Sequence, residues 1–295
     1  MRFRGSYVAL LTPFTEQDEV NTEKLREMVE FQIAGGTDGL VPCGTTGESP
    51  TLTWAEDRLV VKTVVEAVRG RVPVIAGAGS NCTKEAIEAT RYAREIGADA
   101  ALIVNPYYNK PTQEGLYLHF KAVAEQGGLP VVVYNIQSRT GVNVDTSTLV
   151  RLKSVANILG VKEASGNLNQ MSEVIRLCGD KMDVLSGDDS LTLPLLAVGG
   201  NGIISVAANI VPCEIKALCE SFFKGDFKAA LAMHQRLFPL CQSLFYETNP
   251  IPIREAMNWL GWKTGNARLP LTPMGEKNRA RMIDELKAFG LTGKV

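Results

Sequence analysis

Three apolar runs in this 295-residue chain end in groups able to do chemistry. Ile158-Leu159-Gly160-Val161 runs into Lys162, Val133 runs into Tyr134 and Asn135, and the run ending at Pro42 opens into Cys43-Gly44-Thr45-Thr46-Gly47-Glu48-Ser49. A lysine carried into apolar surroundings is costly to keep charged. Desolvation favours the neutral amine, which is the nucleophilic form. Such an amine can add to a ketone and lose water to form an imine, and the imine acidifies the adjacent methyl carbon. From its position alone, Lys162 reads at least as readily as a lysine that snorkels out of a strand end or pairs with Glu163.

Imine chemistry shuttles several protons, and a tyrosine ending the neighbouring strand is placed to carry them, although Tyr134 equally suits an ordinary half-buried position at a rim. Thr45 and Thr46 bring two hydroxyls and adjacent backbone N–H groups, a set suited to a carboxylate and also to a plain polar turn. Arg139, in Ser138-Arg139-Thr140-Gly141, can form a bidentate pair with a second carboxylate or stand solvated at the surface. Taken together, an amine, a phenol, a hydroxyl pair and an arginine specify carbonyl chemistry that calls for no metal and no cofactor. The glycine-rich pieces Gly35-Gly36-Thr37-Asp38-Gly39 and Gly77-Ala78-Gly79-Ser80 lack the lysine of a phosphate loop and the spacing of a dinucleotide fingerprint, so they read as turns.

The composition frames these groups. With 45% hydrophobic and 21% charged residues the chain is an ordinary globular sequence, long enough to bury a large core. Its 31 basic and 32 acidic residues leave a net charge of −1 without blocks of like charge, which argues against nucleic acid or an anionic membrane as partner and for a small molecule. Six cysteines without a C-x-x-C pair and two distant histidines, His119 and His234, are poor material for a metal site. They fit reduced thiols in a cytoplasmic protein. Tyr7–Leu11 is too short for a signal core and is stopped by Pro13, so no export is expected. Ser190–Cys213 is uncharged and long enough to span a bilayer. Gly199, Gly200, Asn201 and Gly202 break it into a buried helix, a tight turn and a buried strand.

The elements that must hold the reactive groups follow from periodicity. Strand-like runs at Ser6–Leu11, Gly39–Pro42, Val72–Gly77, Ala100–Val104, Pro130–Tyr134, Ile158–Lys162, Asp183–Ser186 and Gly202–Val206 alternate with amphipathic helical segments such as Val61-Val64-Val65-Val68 and Met171-Val174-Ile175-Cys178. About eight such units fit a closed (β/α)₈ TIM barrel better than an open doubly wound sheet, and in a barrel reactive groups stand at the C-terminal ends of strands. After Phe227 only helices are expected, at Phe227–Tyr246, Ile251–Leu260 and Glu276–Phe289. The chain is therefore divided into a barrel over residues 1–225 and a C-terminal helical region over 226–295.

The motifs Gly44-Thr45-Thr46-Gly47-Glu48-Ser49, Pro106-Tyr107-Tyr108-Asn109-Lys110-Pro111, Tyr134-Asn135 with Ser138-Arg139-Thr140-Gly141, Val161-Lys162-Glu163-Ala164, Ser186-Gly187-Asp188-Asp189 and Gly202-Ile203-Ile204-Ser205-Val206 occur in this order nearly end to end. In them the sequence resembles the dihydrodipicolinate synthase family, among the pyruvate-dependent class I lyases that include N-acetylneuraminate lyase. The resemblance implies that Lys162 carries pyruvate as a covalent imine and that Tyr134 shuttles protons with Thr45 and with Tyr108 from a neighbouring subunit. It implies that Thr46 and Ile204 contact pyruvate and that Arg139 holds the carboxylate of L-aspartate 4-semialdehyde. The product would be 4-hydroxy-tetrahydrodipicolinate, on the route to diaminopimelate and lysine.

Sialic-acid lyases carry an uncharged segment where this chain has Arg139, so the arginine favours a carboxylated aldehyde over a keto sugar acid. A barrel that has lost catalysis and only binds ligands would have no need of Lys162, Tyr134, Thr45 and Tyr108 together. The resemblance further implies a homotetramer built from tight dimers. It also implies an interfacial L-lysine effector site at Ser49, Pro50, Trp54, Asp57, Asn81, Glu85 and Tyr107, where Asn81 and Glu85 would hold the polar groups and Trp54 the aliphatic stem. Where the family usually has proline this chain has Gln137, which frees a backbone N–H and one φ angle just before Arg139.

Overall fold

The structure, a computed structural model, describes residues 2–294. Eight parallel strands form one sheet: β1 (Gly5–Ala9), β2 (Gly39–Val41), β3 (Ile75–Gly77), β4 (Ala100–Val104), β5 (Val131–Asn135), β6 (Ile158–Glu163), β7 (Asp183–Ser186) and β8 (Gly202–Ser205). Their order is β2-β1-β8-β7-β6-β5-β4-β3, and a parallel bridge between Leu40 and Val74 joins the two ends. The N–H groups of Leu40 and Gly77 donate across that seam to the carbonyls of Pro73 and Pro42, at 3.0 and 2.9 Å. The sheet is thus a closed (β/α)₈ barrel, as the alternation of runs predicts.

The helices are α1 (Thr22–Ala34), α2 (Trp54–Val68), α3 (Thr83–Glu95), α4 (Gln113–Gly127), α5 (Gln137–Thr140), α6 (Thr146–Leu152), α7 (Leu168–Cys178), α8 (Thr192–Ala197), α9 (Pro212–Phe223), α10 (Phe227–Ser243), α11 (Ile251–Trp259) and α12 (Glu276–Phe289). Several begin at side chains that accept from the orphan amides of the first turn: Asn21, Thr53, Thr112, Asn167 and Asp226, with Thr53 and Glu56 forming a reciprocal capping box. Among the described residues no helix is both long and apolar enough to cross a membrane.

The strands are buried on both faces, which is why they read as unbroken apolar runs. Phe3, Tyr7, Val41, Ile75, Leu102, Val132, Tyr134, Leu185 and Ile204 fill the barrel interior. The outward-facing side chains pack beneath the helices in two larger clusters. The third strand is shorter than Val72–Gly77 predicts, because Pro73 has no N–H to donate to a ladder. The uncharged stretch before Cys213 divides as expected into short helical turns at Asp189–Leu191 and α8, a glycine turn, and β8.

Helices α10, α11 and α12 follow the barrel. Leu237, Leu240, Ile253, Met257, Met282 and Leu286 share one core with Leu10, Leu25, Leu40 and Val60 of the barrel layers. The consequence for function lies in the connection between α10 and α11, which is carried over the end of the barrel where Thr45 and Thr46 stand.

Candidate active site

Lys162 and Tyr134 are partners in the parallel register of β6 and β5. Side chains alternate along a strand, so both project from the same face, toward the barrel interior. Both are buried, and the Lys162 Nζ lies 4.2 Å from the centroid of the Tyr134 ring. The next residue, Glu163, points the opposite way. It accepts from Asn135 Nδ2 at 3.2 Å, Gln170 Nε2 at 3.3 Å and the Ser165 N–H at 2.8 Å. The reading in which Glu163 neutralises Lys162 is therefore overturned by strand alternation, and so is the one in which Lys162 snorkels outward. Among the described residues Lys162 belongs to no ion pair.

The stem of Lys162 passes over Gly187. A Cβ built at this glycine would stand 3.1 Å from Lys162 Cε and 2.6 Å from the Ala164 side chain, so the absence of a side chain there is what leaves the lysine its path. Ile204, on β8, belongs to the same interior cluster as Tyr134. The end of β8 is pinned by Asp189, a fully buried carboxylate that accepts from the hydroxyl of Ser205 and the N–H groups of Val206 and Ala207. Burial pushes its pKa up, and those three donors oppose the shift.

The loop after β2 turns sharply. Cys43 and Glu48 both adopt left-handed backbone, with φ of 55° and 57°. What holds it is a buried ion pair that the sequence reading did not single out. Glu48 accepts from Arg254 Nε at 2.9 Å, and Arg254 also donates to the carbonyls of Thr12 and Thr264 at 2.8 and 2.6 Å. The Thr12 hydroxyl in turn donates to the Gly47 carbonyl at 2.7 Å. A signal was present: Arg254 sits among Ile253, Ala256 and Met257 on the apolar stripe of α11, where a charged side chain needs a buried partner.

Thr46 is buried, and its hydroxyl accepts from Asn249 Nδ2 at 3.1 Å. Arg139 donates to the carbonyl of the same Asn249 at 2.9 Å. Gln137 opens the single helical turn α5, which Gly141 closes in left-handed backbone. Asn105 ties this turn to the end of β4: its Nδ2 donates to Thr140 Oγ1 at 3.0 Å, and its Oδ1 accepts from the Ile136 N–H at 3.3 Å. The freedom expected from Gln137 is thus taken up in an ordered turn that delivers Arg139 toward Asn249.

Thr45 and Arg139 line a cavity of about 480 Å³, together with Ile136, Thr140 and Val104. The same cavity is lined by Ser49, Pro50, Trp54, Asp57, Glu85 and Tyr107, so most of the expected effector set faces the same space as Thr45. Lys162, Tyr134, Thr46 and Ile204 are not part of that lining. Asn81 is not either, and its carbonyl accepts from Asn109 Nδ2. Glu85 accepts from the Ser80 hydroxyl at 2.7 Å. Burial raises the Asp57 carboxyl to about 6. Tyr108 stands apart from the other proposed catalytic residues: it is 90% exposed, with a left-handed φ of 70°.

A profile described as the Dihydrodipicolinate synthetase family matches residues 2–289. The chain is 53% identical over 289 residues to the 4-hydroxy-tetrahydrodipicolinate synthase of Geotalea uraniireducens, covering 98% of this chain and 99% of that one. Among solved structures, a dihydrodipicolinate synthase from Aquifex aeolicus superposes with a TM-score of 0.97 at 47% identity, covering 99% of this chain and 100% of that one. One from Cyanidioschyzon merolae, described with lysine bound, superposes with a TM-score of 0.96 at 42% identity, covering 99% and 100%. Matched in sequence and in fold over almost its whole length, the chain belongs to the dihydrodipicolinate synthetase family.

Proposed function

We propose that this enzyme condenses pyruvate with L-aspartate 4-semialdehyde to give 4-hydroxy-tetrahydrodipicolinate, with Lys162 as the Schiff-base lysine. The observation that carries the assignment of Lys162 is its setting: a buried amine without an ion pair, 4.2 Å from the ring of a tyrosine that is its register partner. The amine attacks the keto carbon of pyruvate, and loss of water gives the imine. A proton then leaves the methyl carbon, and the resulting enamine carbon attacks the aldehyde carbon of the second substrate. The amino group of that substrate adds to the imine carbon, closing the ring and returning Lys162 as the free amine. One water is released over the whole sequence, and no cofactor beyond the covalent pyruvate is called for.

Tyr134, whose ring centroid lies 4.2 Å from the Lys162 nitrogen, takes the role of proton carrier, with Thr45 and Tyr108 completing the relay. Thr46 and Ile204 hold pyruvate, and Arg139 receives the carboxylate of the aldehyde. The exposure of Tyr108 supports a relay completed by a second subunit, and with it a homotetramer of tight dimers. A cavity that presents Asp57, Glu85, Trp54 and Tyr107 together suits an ammonium group on an aliphatic stem, which supports L-lysine as effector. The six free cysteines fit a cytoplasmic enzyme of amino-acid biosynthesis.

The test is chemical. The protein is incubated with pyruvate, reduced with borohydride and mapped by peptide mass, with Lys162→Ala as control. A pyruvate-derived mass on the Lys162 peptide is expected, and a folded protein without any adduct would sink the mechanism.

A further inference from the structure

Asn249 lies 203 residues from Thr46 and 110 from Arg139 in sequence, yet it bonds to both. It is almost wholly buried, in the connection between α10 and α11, and the Arg254–Glu48 pair one turn further on fixes that connection against the β2 loop. Its amide is used unevenly. Nδ2 donates to Thr46 Oγ1, the backbone carbonyl accepts from Arg139, and Oδ1 is buried with no partner among the described residues. A buried amide oxygen without a protein partner is open to a water or to a ligand atom.

The polarity of the Thr46 bond decides what the hydroxyl can do. A hydroxyl that accepts from an N–H group keeps its own proton free to donate elsewhere. With Asn249 supplying the N–H, Thr46 is set as a donor, the state a carboxylate requires. On the other side, the Asn249 carbonyl occupies one terminal nitrogen of Arg139 and leaves the rest of the guanidinium for a ligand. One residue therefore sets the two groups that the proposed function assigns to the two substrate carboxylates.

We infer that Asn249 is a positioning residue that couples the pyruvate subsite at Thr46 to the aldehyde subsite at Arg139, an inference that rests on the proposed function above. Loss of the Thr46 bond at one end weakens the hold on Arg139 at the other, so the two substrates bind with a shared dependence on Asn249.

Asn249→Ala is expected to raise the KM of both substrates by roughly 5- to 50-fold while the thermal midpoint stays close to that of the unaltered protein. Thr46→Val is expected to raise the KM of the aldehyde in the unaltered background and to add nothing in the Asn249→Ala background, since the path between the sites is already cut. Asn249→Asp keeps the shape and serves where the alanine variant folds poorly. Its carboxylate would draw the Thr46 proton toward itself, so the KM of pyruvate should rise further than with alanine. Borohydride trapping of pyruvate on Lys162 of the unaltered protein separates the two levels. Absence of the adduct sinks the reading of the site as a whole. An adduct, together with unchanged KM values in both Asn249 variants or an undiminished Thr46→Val effect in the Asn249→Ala background, overturns the coupling alone.

Discussion

Tyr134 and Lys162 face one another across the β5–β6 register, and the lysine nitrogen rests 4.2 Å from the tyrosine ring centroid. Two adjacent parallel strands hold this relationship, so the pairing of the two side chains does not depend on a loop. Replacement of either residue should therefore act on chemistry rather than on folding. Lys162→Ala removes the covalent step and should reduce kcat by at least about 10³-fold, whereas Tyr134→Phe removes only proton transfer and should cost roughly 10²- to 10⁴-fold. The distinguishing readout is trapping: the phenylalanine variant should still accumulate a pyruvate adduct on Lys162, more slowly, and the alanine variant should not.

The exposed Tyr108 makes a prediction about assembly. If it serves the site of a partner, subunits carrying Tyr108→Ala and subunits carrying Lys162→Ala are each inactive alone but complement when mixed. In such a hybrid one site retains both its own lysine and the partner's tyrosine. Equal mixing with random pairing should restore about a quarter of the unaltered activity. Failure of hybrids, shown by native mass spectrometry to have formed, to recover any activity would place Tyr108 outside the relay.

The Arg254–Glu48 pair is the strut beneath the Thr45–Thr46 turn, and both side chains are nearly solvent-free. Removing one charge strands the other. Arg254→Met should lower stability by about 3–5 kcal/mol, and should lower the thermal midpoint by roughly 5–15 °C. The joint change Arg254→Met with Glu48→Gln should recover a large part of that loss, because no unpaired charge remains. A single substitution as stable as the unaltered protein would show that the pair contributes little to holding the loop.

His119 bears on acid stability rather than on catalysis. It is buried between α4 and α3, where its Nδ1 meets the Thr83 hydroxyl at 2.9 Å and its Nε2 has no partner among the described residues. Burial lowers its pKa to about 4. The unfolded chain takes up the proton near pH 6.5 and the folded one only near 4, so stability present above pH 6.5 is lost as the pH falls through that window. The full effect is on the order of 3 kcal/mol. Urea unfolding from pH 7 to pH 4 should show this decline, and His119→Phe should flatten its share of it.

How much of this was legible in the sequence divides along a physical line. Lys162, Tyr134 and the Thr45–Thr46 turn could be read because a barrel strand is a local object: an apolar run ends, and the next residue stands at the rim. The same local pattern yielded the eight strands and the three C-terminal helices. Asn249, Arg254 and Gly187 could not be read in this way. Asn249 lies in a connection with no periodicity, and its partners are more than a hundred residues distant. The role of Gly187 is a clearance for the side chain of Lys162, which no sequence pattern records. The orientation of Glu163 was decided by alternation along β6, which the sequence implied but which left the competing ion pair open until the strand was in place.

The cavity that joins Thr45 to Trp54, Asp57 and Glu85 carries the last prediction, on pH and regulation. Neither Asp57 nor Glu85 forms an ion pair among the described residues, so both carboxylates are free to pair with a ligand ammonium. Burial holds the Asp57 carboxyl up to about 6, which leaves it largely protonated at pH 5 and ionised at pH 7. A cationic effector binds the ionised form better. Inhibition by L-lysine should accordingly strengthen as the pH rises from 5 to 7, and Asp57→Asn should remove most of that dependence. Glu85→Gln should weaken inhibition at every pH, by roughly tenfold or more for one charge-assisted contact. The measurement is a lysine titration of initial rate at each pH. Rates unaffected up to millimolar lysine would rule out the effector, whereas inhibition with no pH trend would keep the site and remove Asp57 from it.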